Sequence, residues 1–209
     1  MKIEWINHSC FKINLSGKII YFDPYKIPEN KEKGDLILIS HDHNDHYDAQ
    51  SVSRIKKNSS IIICPATCTK IIENEKAKGI KPNESIKIDG ITIHGVPAYN
   101  PNKKFHPQKN QWLGFIVDDG KNRIYHAGDT DLIPEMSQFK NIDYAFLPVG
   151  DTYTMDFVEG VKAANKIKPK FVIPMHNWDK DLKEFEILMK KQAPDVGVLV
   201  LDLKTPKDL

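Results

Sequence analysis

Apolar and polar residues alternate along Ile3-Glu4-Trp5-Ile6 and again along Cys10-Phe11-Lys12-Ile13-Asn14-Leu15. Period two is the signature of a half-buried strand, so both segments are predicted strands. Ser16-Gly17-Lys18 reads as a turn into Ile19-Ile20-Tyr21-Phe22, which Asp23-Pro24 closes. Leu36-Ile37-Leu38-Ile39 and Ile61-Ile62-Ile63 are wholly apolar and suit strands buried on both faces. Helices are expected over Asp48–Lys57, with Val52 and Ile55 on one side, and over Thr69–Lys78, with Gly79 as its stop. Two hairpins follow: Ser85–Ile88 with Ile91–Ile93 about Asp89-Gly90, and Leu113–Val117 with Arg123–His126 about Asp118-Asp119-Gly120. The remainder reads as strand Tyr144–Val149, helix Phe157–Lys166 with Val158, Val161 and Ala164 inward, strand Phe171–Ile173, helix Leu182–Lys191 and strand Val198–Leu201. Hairpins and βαβα units thus occur twice in succession, an α/β order of two similar halves, and with no linker-like segment the expectation is a single domain over residues 1–209.

Composition narrows the function classes. Hydrophobic residues make up 40% and charged residues 28% of 209 positions, ordinary for a globular chain. A net charge of +2, with lysines scattered rather than clustered, gives no reason to expect nucleic acid or an anionic membrane as partner. Three cysteines, Cys10, Cys64 and Cys68, do not make a disulfide framework and read as buried thiols. Met1-Lys2-Ile3-Glu4-Trp5 lacks an apolar signal segment, and no apolar run approaches the roughly 18 residues of a membrane span. The expectation is a cytoplasmic protein with a small-molecule substrate, for which a homo-oligomer is permitted.

The chemistry starts at His41-Asp42-His43-Asn44-Asp45-His46, directly after a buried apolar strand. Three imidazoles and two carboxylates in six residues are the donor types that zinc, manganese and iron accept. A solvated loop needs no such concentration of histidine, and Asp48 alone would serve as a helix cap. In an extended segment His41 and His43 point the same way, leaving Asp45 and His46 to turn toward a second ion.

These residues resemble the His-x-His-x-Asp-His signature of the metallo-β-lactamase superfamily, with Ser40 in a position often Ser or Thr there. Gly128-Asp129-Thr130 resembles the later motif whose aspartate bridges two metals, and Met175-His176 the final histidine motif. Asn7-His8-Ser9-Cys10-Phe11, Asp23-Pro24 and the loop Pro148–Met155 are similar to segments of a compact branch that includes L-ascorbate-6-phosphate lactonase-like proteins. Asp151 replaces a glycine of that loop. The resemblance spans residues 40 to 176 and implies a four-layer αββα sandwich holding one or two divalent ions, zinc first, with manganese or iron as alternatives.

The implied metal ligands are His41, His43, Asp45, His46, Asp129 and His176. Family members carry a further histidine where this chain reads Pro97-Ala98-Tyr99-Asn100. His106 is favoured as its replacement; Asn100, or solvent beside His41, His43 and Asp129, are the alternatives. His8 either lines the site or is an ordinary strand end, and His126 either supports a ligand or is a satisfied sheet histidine. His94 reads as structural. Lys103 and Lys104 are expected to face solvent, and Tyr153, Thr154 and Trp178 lie near the motif loops.

The implied reaction is hydrolysis of a small ester, lactone or phosphorylated metabolite by a metal-activated hydroxide, since metal binding lowers the pKa of water from about 15.7 to about 7. Asp45 would orient that nucleophile and Asp129 would hold the ions. A nuclease of the same fold would want a basic groove, and a metal-bound sensing protein is the non-enzymatic alternative. No Gly-x-Ser-x-Gly elbow is present, so a serine hydrolase is excluded.

Overall fold

The structure is a computed structural model and describes every residue except 71 and 73–76. The chain divides into two compact units, Met1–Lys81 with Leu201–Leu209, and Pro82–Val200.

The first unit is built on one seven-stranded sheet in the order β14-β1-β2-β3-β4-β5-β6, from β1 Lys2–Asn7, β2 Cys10–Leu15, β3 Lys18–Phe22, β4 Leu36–Leu38, β5 Ile61–Pro65, β6 Lys78–Ile80 and β14 Lys207–Asp208. β1, β2 and β3 form an antiparallel meander, and Ser16 and Gly17 both take positive φ (49° and 77°), as a two-residue primed turn requires. From β3 to β6 the pairing is parallel, and the apolar β4 and the last four residues of β5 are buried, as the unbroken apolar runs require. Helix α1, Ala49–Ile55, buries Val52 and Ile55, and its N-cap is Asp48, whose carboxylate accepts from Gln50 N at 3.0 Å. Half of the helix expected over Thr69–Lys78 lies outside the described residues. Lys78 and Gly79, however, pair with Ile63 and Cys64 in β6, so Gly79 is not a helix stop.

The second unit carries the other seven-stranded sheet, ordered β13-β12-β11-β10-β9-β8-β7: β7 Ser85–Ile88, β8 Ile91–Pro97, β9 Leu113–Asp118, β10 Arg123–His126, β11 Tyr144–Pro148, β12 Phe171–Met175 and β13 Gly197–Val198. β7 to β10 are antiparallel; β10 to β13 are parallel. Helix α2, Phe157–Ile167, starts in a reciprocal capping box between Asp156 and Glu159, and α3 spans Leu182–Gln192.

Two expectations are corrected here, and one strand was not anticipated. Val158 is 42% exposed, while α2 buries Gly160, Val161, Ala163, Ala164 and Ile167. At about 100° per residue Val158 lies on the side opposite the centre of that stripe. The last expected strand pairs only at Gly197 and Val198, with Leu199 N donating to Val172 O, and Val200 is exposed. The short strand β14 against β1 has no apolar pattern to announce it.

Candidate metal-binding residues

In the first unit, buried β4 delivers the chain to Ser40 and His41 at its C-terminal end. Ile39 N still bonds to Ile63 O, after which the loop turns so that His46 N and Tyr47 N both reach His43 O (3.0 and 2.9 Å). The turn brings its imidazoles together: the His41 and His46 rings are 4.1 Å apart, and His41 Nε2 lies 3.1 Å from His43 Nδ1. His8, at the end of β1, places Nε2 3.2 Å from Asp45 Oδ2 and its ring 5.7 Å from that of His46.

The support for this loop is Asp23, a buried carboxylate just past β3. Oδ1 accepts from Ser40 N at 2.7 Å; Oδ2 lies 2.7 Å from both Ser40 Oγ and His46 Nδ1. Ser40 Oγ is in turn 2.9 Å from His41 Nδ1. As a carboxylate Asp23 only accepts, so Nδ1 of His46 carries the hydrogen and Nε2 keeps its lone pair.

In the second unit the same logic runs through Asp129, in the Gly-Asp-Thr turn after β10. Its Oδ2 is 3.3 Å from His106 Nε2 and 3.1 Å from His176 Nε2, and all three residues are buried. Asn100 is bonded to His106: its Oδ1 accepts from His106 N (3.0 Å) and Nδ1 (2.8 Å), and its Nδ2 donates to Tyr153 O (3.0 Å). The backbone donor and the carbonyl acceptor together fix which end of the amide is oxygen. His106 thus presents Nε2 to Asp129, while Asn100 holds the opposite ring nitrogen.

Donor atoms about 2.0–2.2 Å from a common ion stand about 2.8–3.6 Å apart at octahedral to tetrahedral angles. The separations of His41 from His43, and of Asp129 from His106 and His176, fall in that range. The donor set is imidazole and carboxylate, with no thiolate, which fits zinc, manganese or iron.

A family model for the beta-lactamase superfamily domain matches residues 2–176. The chain belongs to the metallo-β-lactamase superfamily. The "UPF0173 metal-dependent hydrolase" of Archaeoglobus fulgidus is 31% identical over 223 residues, covering 96% of each chain. Its counterpart of the same name in Nanoarchaeum equitans is 34% identical over 220 residues, covering 100% of this chain and 99% of the other. A crystal structure from Parabacteroides distasonis, 33% identical, matches with a TM-score of 0.89 over 96% of this chain and 92% of that one. The α/β metallo-β-lactamase fold expected from the sequence is therefore the fold of this chain.

Within this superfamily member, His41, His43, Asp45 and His46 share one loop of the first unit, and His106, Asp129 and His176 surround one carboxylate oxygen in the second. His94 is held apart by Ser85 Oγ at 2.7 Å across the β7–β8 hairpin. Buried His126 accepts from Gly128 N at 3.3 Å and so steadies the turn before Asp129. Lys103 is a correction: its ammonium donates to Asp131 Oδ1 (2.9 Å), Asp151 O (2.8 Å) and Thr154 O (2.5 Å) instead of pointing into solvent. Sequence reasoning missed the work of Asp23 and the support given by Asn100. The Asp-Pro pair ending an apolar strand signalled the first; for the second, only an asparagine in a histidine position.

Proposed function

We propose that this chain is a hydrolase of a small ester or lactone, using divalent metal, zinc first, held by His41, His43, Asp45 and His46 in the first unit and by His106, Asp129 and His176 in the second. The observation that carries the reading is the convergence of two buried imidazole Nε2 atoms on one oxygen of Asp129. When bound, such an ion supplies electrophilic polarisation of the scissile carbonyl and acidifies water. Asp45, half-buried and held by His8, orients the attacking water and takes its proton. Asp129, His106 and His176 would hold the ion together in the second unit. Water is the nucleophile in this reading, and the three cysteines do not compete for the role: all are buried, which raises the pKa of Cys10 far above neutrality and pushes those of Cys64 and Cys68 up to about 12.

The test pairs metal analysis of the purified protein with hydrolysis of ester, lactone and phosphodiester substrates before and after chelation. Bound transition metal with chelator-sensitive turnover of esters or lactones is expected. Turnover that survives complete metal removal, or a protein that takes up no metal on reconstitution, overturns the reading.

A further inference from the structure

Beside Asp129 and His176 the second unit exposes aromatic rings. Trp178 is 52% and Tyr153 39% exposed, while the other tryptophans, Trp5 and Trp112, are buried. Trp178 stands edge-on to His176 with ring centroids 5.4 Å apart. Tyr153 lies 6.0 Å from Trp178 and 4.6 Å from Phe105, the residue before His106. Three rings from three loops therefore form one continuous apolar rim that begins at a candidate ligand.

The rim is built at a cost. His176, Trp178 and Asp179 all take positive φ (52°, 47° and 60°), a region that bulky L residues avoid. Gly150 lies so close beneath that a Cβ there would meet His176 O at 2.2 Å and Trp178 Cδ1 at 2.6 Å. Hydrogen bonds tie the loops together, from Asn100 to Tyr153 O and from Lys103 to Asp151 O and Thr154 O. Lys180 adds an ion pair to Asp151 at 3.1 Å. Strained, cross-tied backbone that displays apolar rings to solvent is a pre-organised surface, not slack loop.

The charges sharpen the chemistry. Lys103 and Lys180, two of the cations near the rim, are engaged by Asp131 and Asp151, while Lys104, next to Phe105, is exposed. A phosphorylated or carboxylated group would have to compete with these carboxylates, whereas a neutral flat ring loses nothing by stacking.

Resting on the hydrolase reading above, we propose that Trp178 and Tyr153 are specificity-determining residues that receive a neutral aryl group adjoining the scissile ester. The experiment uses the full chain reconstituted with zinc and compares phenyl acetate with ethyl acetate for the wild type, Trp178→Ala, Trp178→Phe and Tyr153→Ala. Separately, acrylamide quenching of tryptophan fluorescence is measured with and without acetanilide, a slowly reacting aryl amide. Trp178 is the one exposed tryptophan among the described residues, so quenching reports on it.

The KM for phenyl acetate should rise about tenfold in Trp178→Ala and less in Tyr153→Ala, and Trp178→Phe should restore it. The KM for ethyl acetate should change much less than that for phenyl acetate, so that the ratio of the two rises, and acetanilide should protect Trp178. If Trp178→Ala loses metal, Tyr153→Ala, whose ring packs on Phe105 and Trp178, carries the comparison. An unmoved ratio of the two KM values, or no protection by acetanilide, overturns the proposal. Protection without turnover of either ester sinks the hydrolytic reading while leaving the aryl site standing.

Discussion

Replacing Asp23 by asparagine changes one atom and should disturb metal binding at a residue not itself proposed as a ligand. The amide keeps an oxygen for Ser40 N but puts an NH2 group where Oδ2 now faces His46 Nδ1 at 2.7 Å. Two donors cannot face each other, so the imidazole must surrender its Nδ1 hydrogen and carry one on Nε2 instead. That tautomer has no lone pair to offer at Nε2. A lost charge-assisted hydrogen bond is worth about 1.5–3 kcal/mol, and Ser40 Oγ, which can turn toward His41 Nδ1 at 2.9 Å, recovers part of it. The net destabilisation should be about 2 kcal/mol. Supporting partners of ligating histidines are worth about 10–100-fold in metal affinity, and a forced tautomer change belongs at the upper end. Urea unfolding of the apoprotein measures the first effect, and competition with a chromophoric chelator measures the second. Wild-type affinity in a variant that is destabilised as expected would refute the idea that Asp23 sets the His46 tautomer.

Other consequences can be checked alongside. Asn100→Ala removes three hydrogen bonds around His106 and should cost about 2–3 kcal/mol with a tenfold or greater loss of metal affinity; unaltered affinity would mean that His106 is not a ligand. Gly150→Ala drives a Cβ into the His176 carbonyl and should destabilise the second unit by about 1–3 kcal/mol, whereas an unshifted urea midpoint would show that the β11 and β12 loops move apart freely. The three thiols should resist an aromatic disulfide reagent at pH 8 in the native protein and all react in urea. With Cys64 and Cys68 pushed up to about 12, about one in ten thousand is thiolate at that pH, so rapid native labelling would contradict their burial.

Strands and hairpins were legible wherever apolar periodicity or a turn signal was strong. Asp89 and Gly90, read as a tight turn, both take positive φ, and all four cores of the expected βαβα units are strands. Periodicity failed where its phase was ambiguous. Val158, Val161 and Ala164 satisfy a spacing of three, but that spacing drifts around a helix with 3.6 residues per turn, so Val161 and Ala164 share the buried stripe with Gly160 and Ile167 while Val158 does not. The two-residue strand β14 owes its pairing to β1 rather than to its own composition. At the candidate site, the histidine loop announced itself because its chemistry is concentrated in six residues. Asp23 lies 23 positions from His46, and Lys103 lies 48 from Asp151, and no local pattern records either partnership. His106 was read as one candidate for the histidine absent at Asn100; that Asn100 itself bonds to His106 was not read from the sequence.

The ammonium of Lys103 has a bearing on how such an enzyme could be re-engineered. One cation anchors the segment leading to His106, the turn after β11 and the acidic residue that follows Asp129-Thr130. Grafting any one of these segments from a relative would strand a buried carboxylate or two carbonyls without their donor. Loop exchange in this scaffold should therefore succeed in blocks, with the 100–106, 129–131 and 150–155 segments transplanted together, and recombination libraries cut between them should be dominated by unstable chimeras.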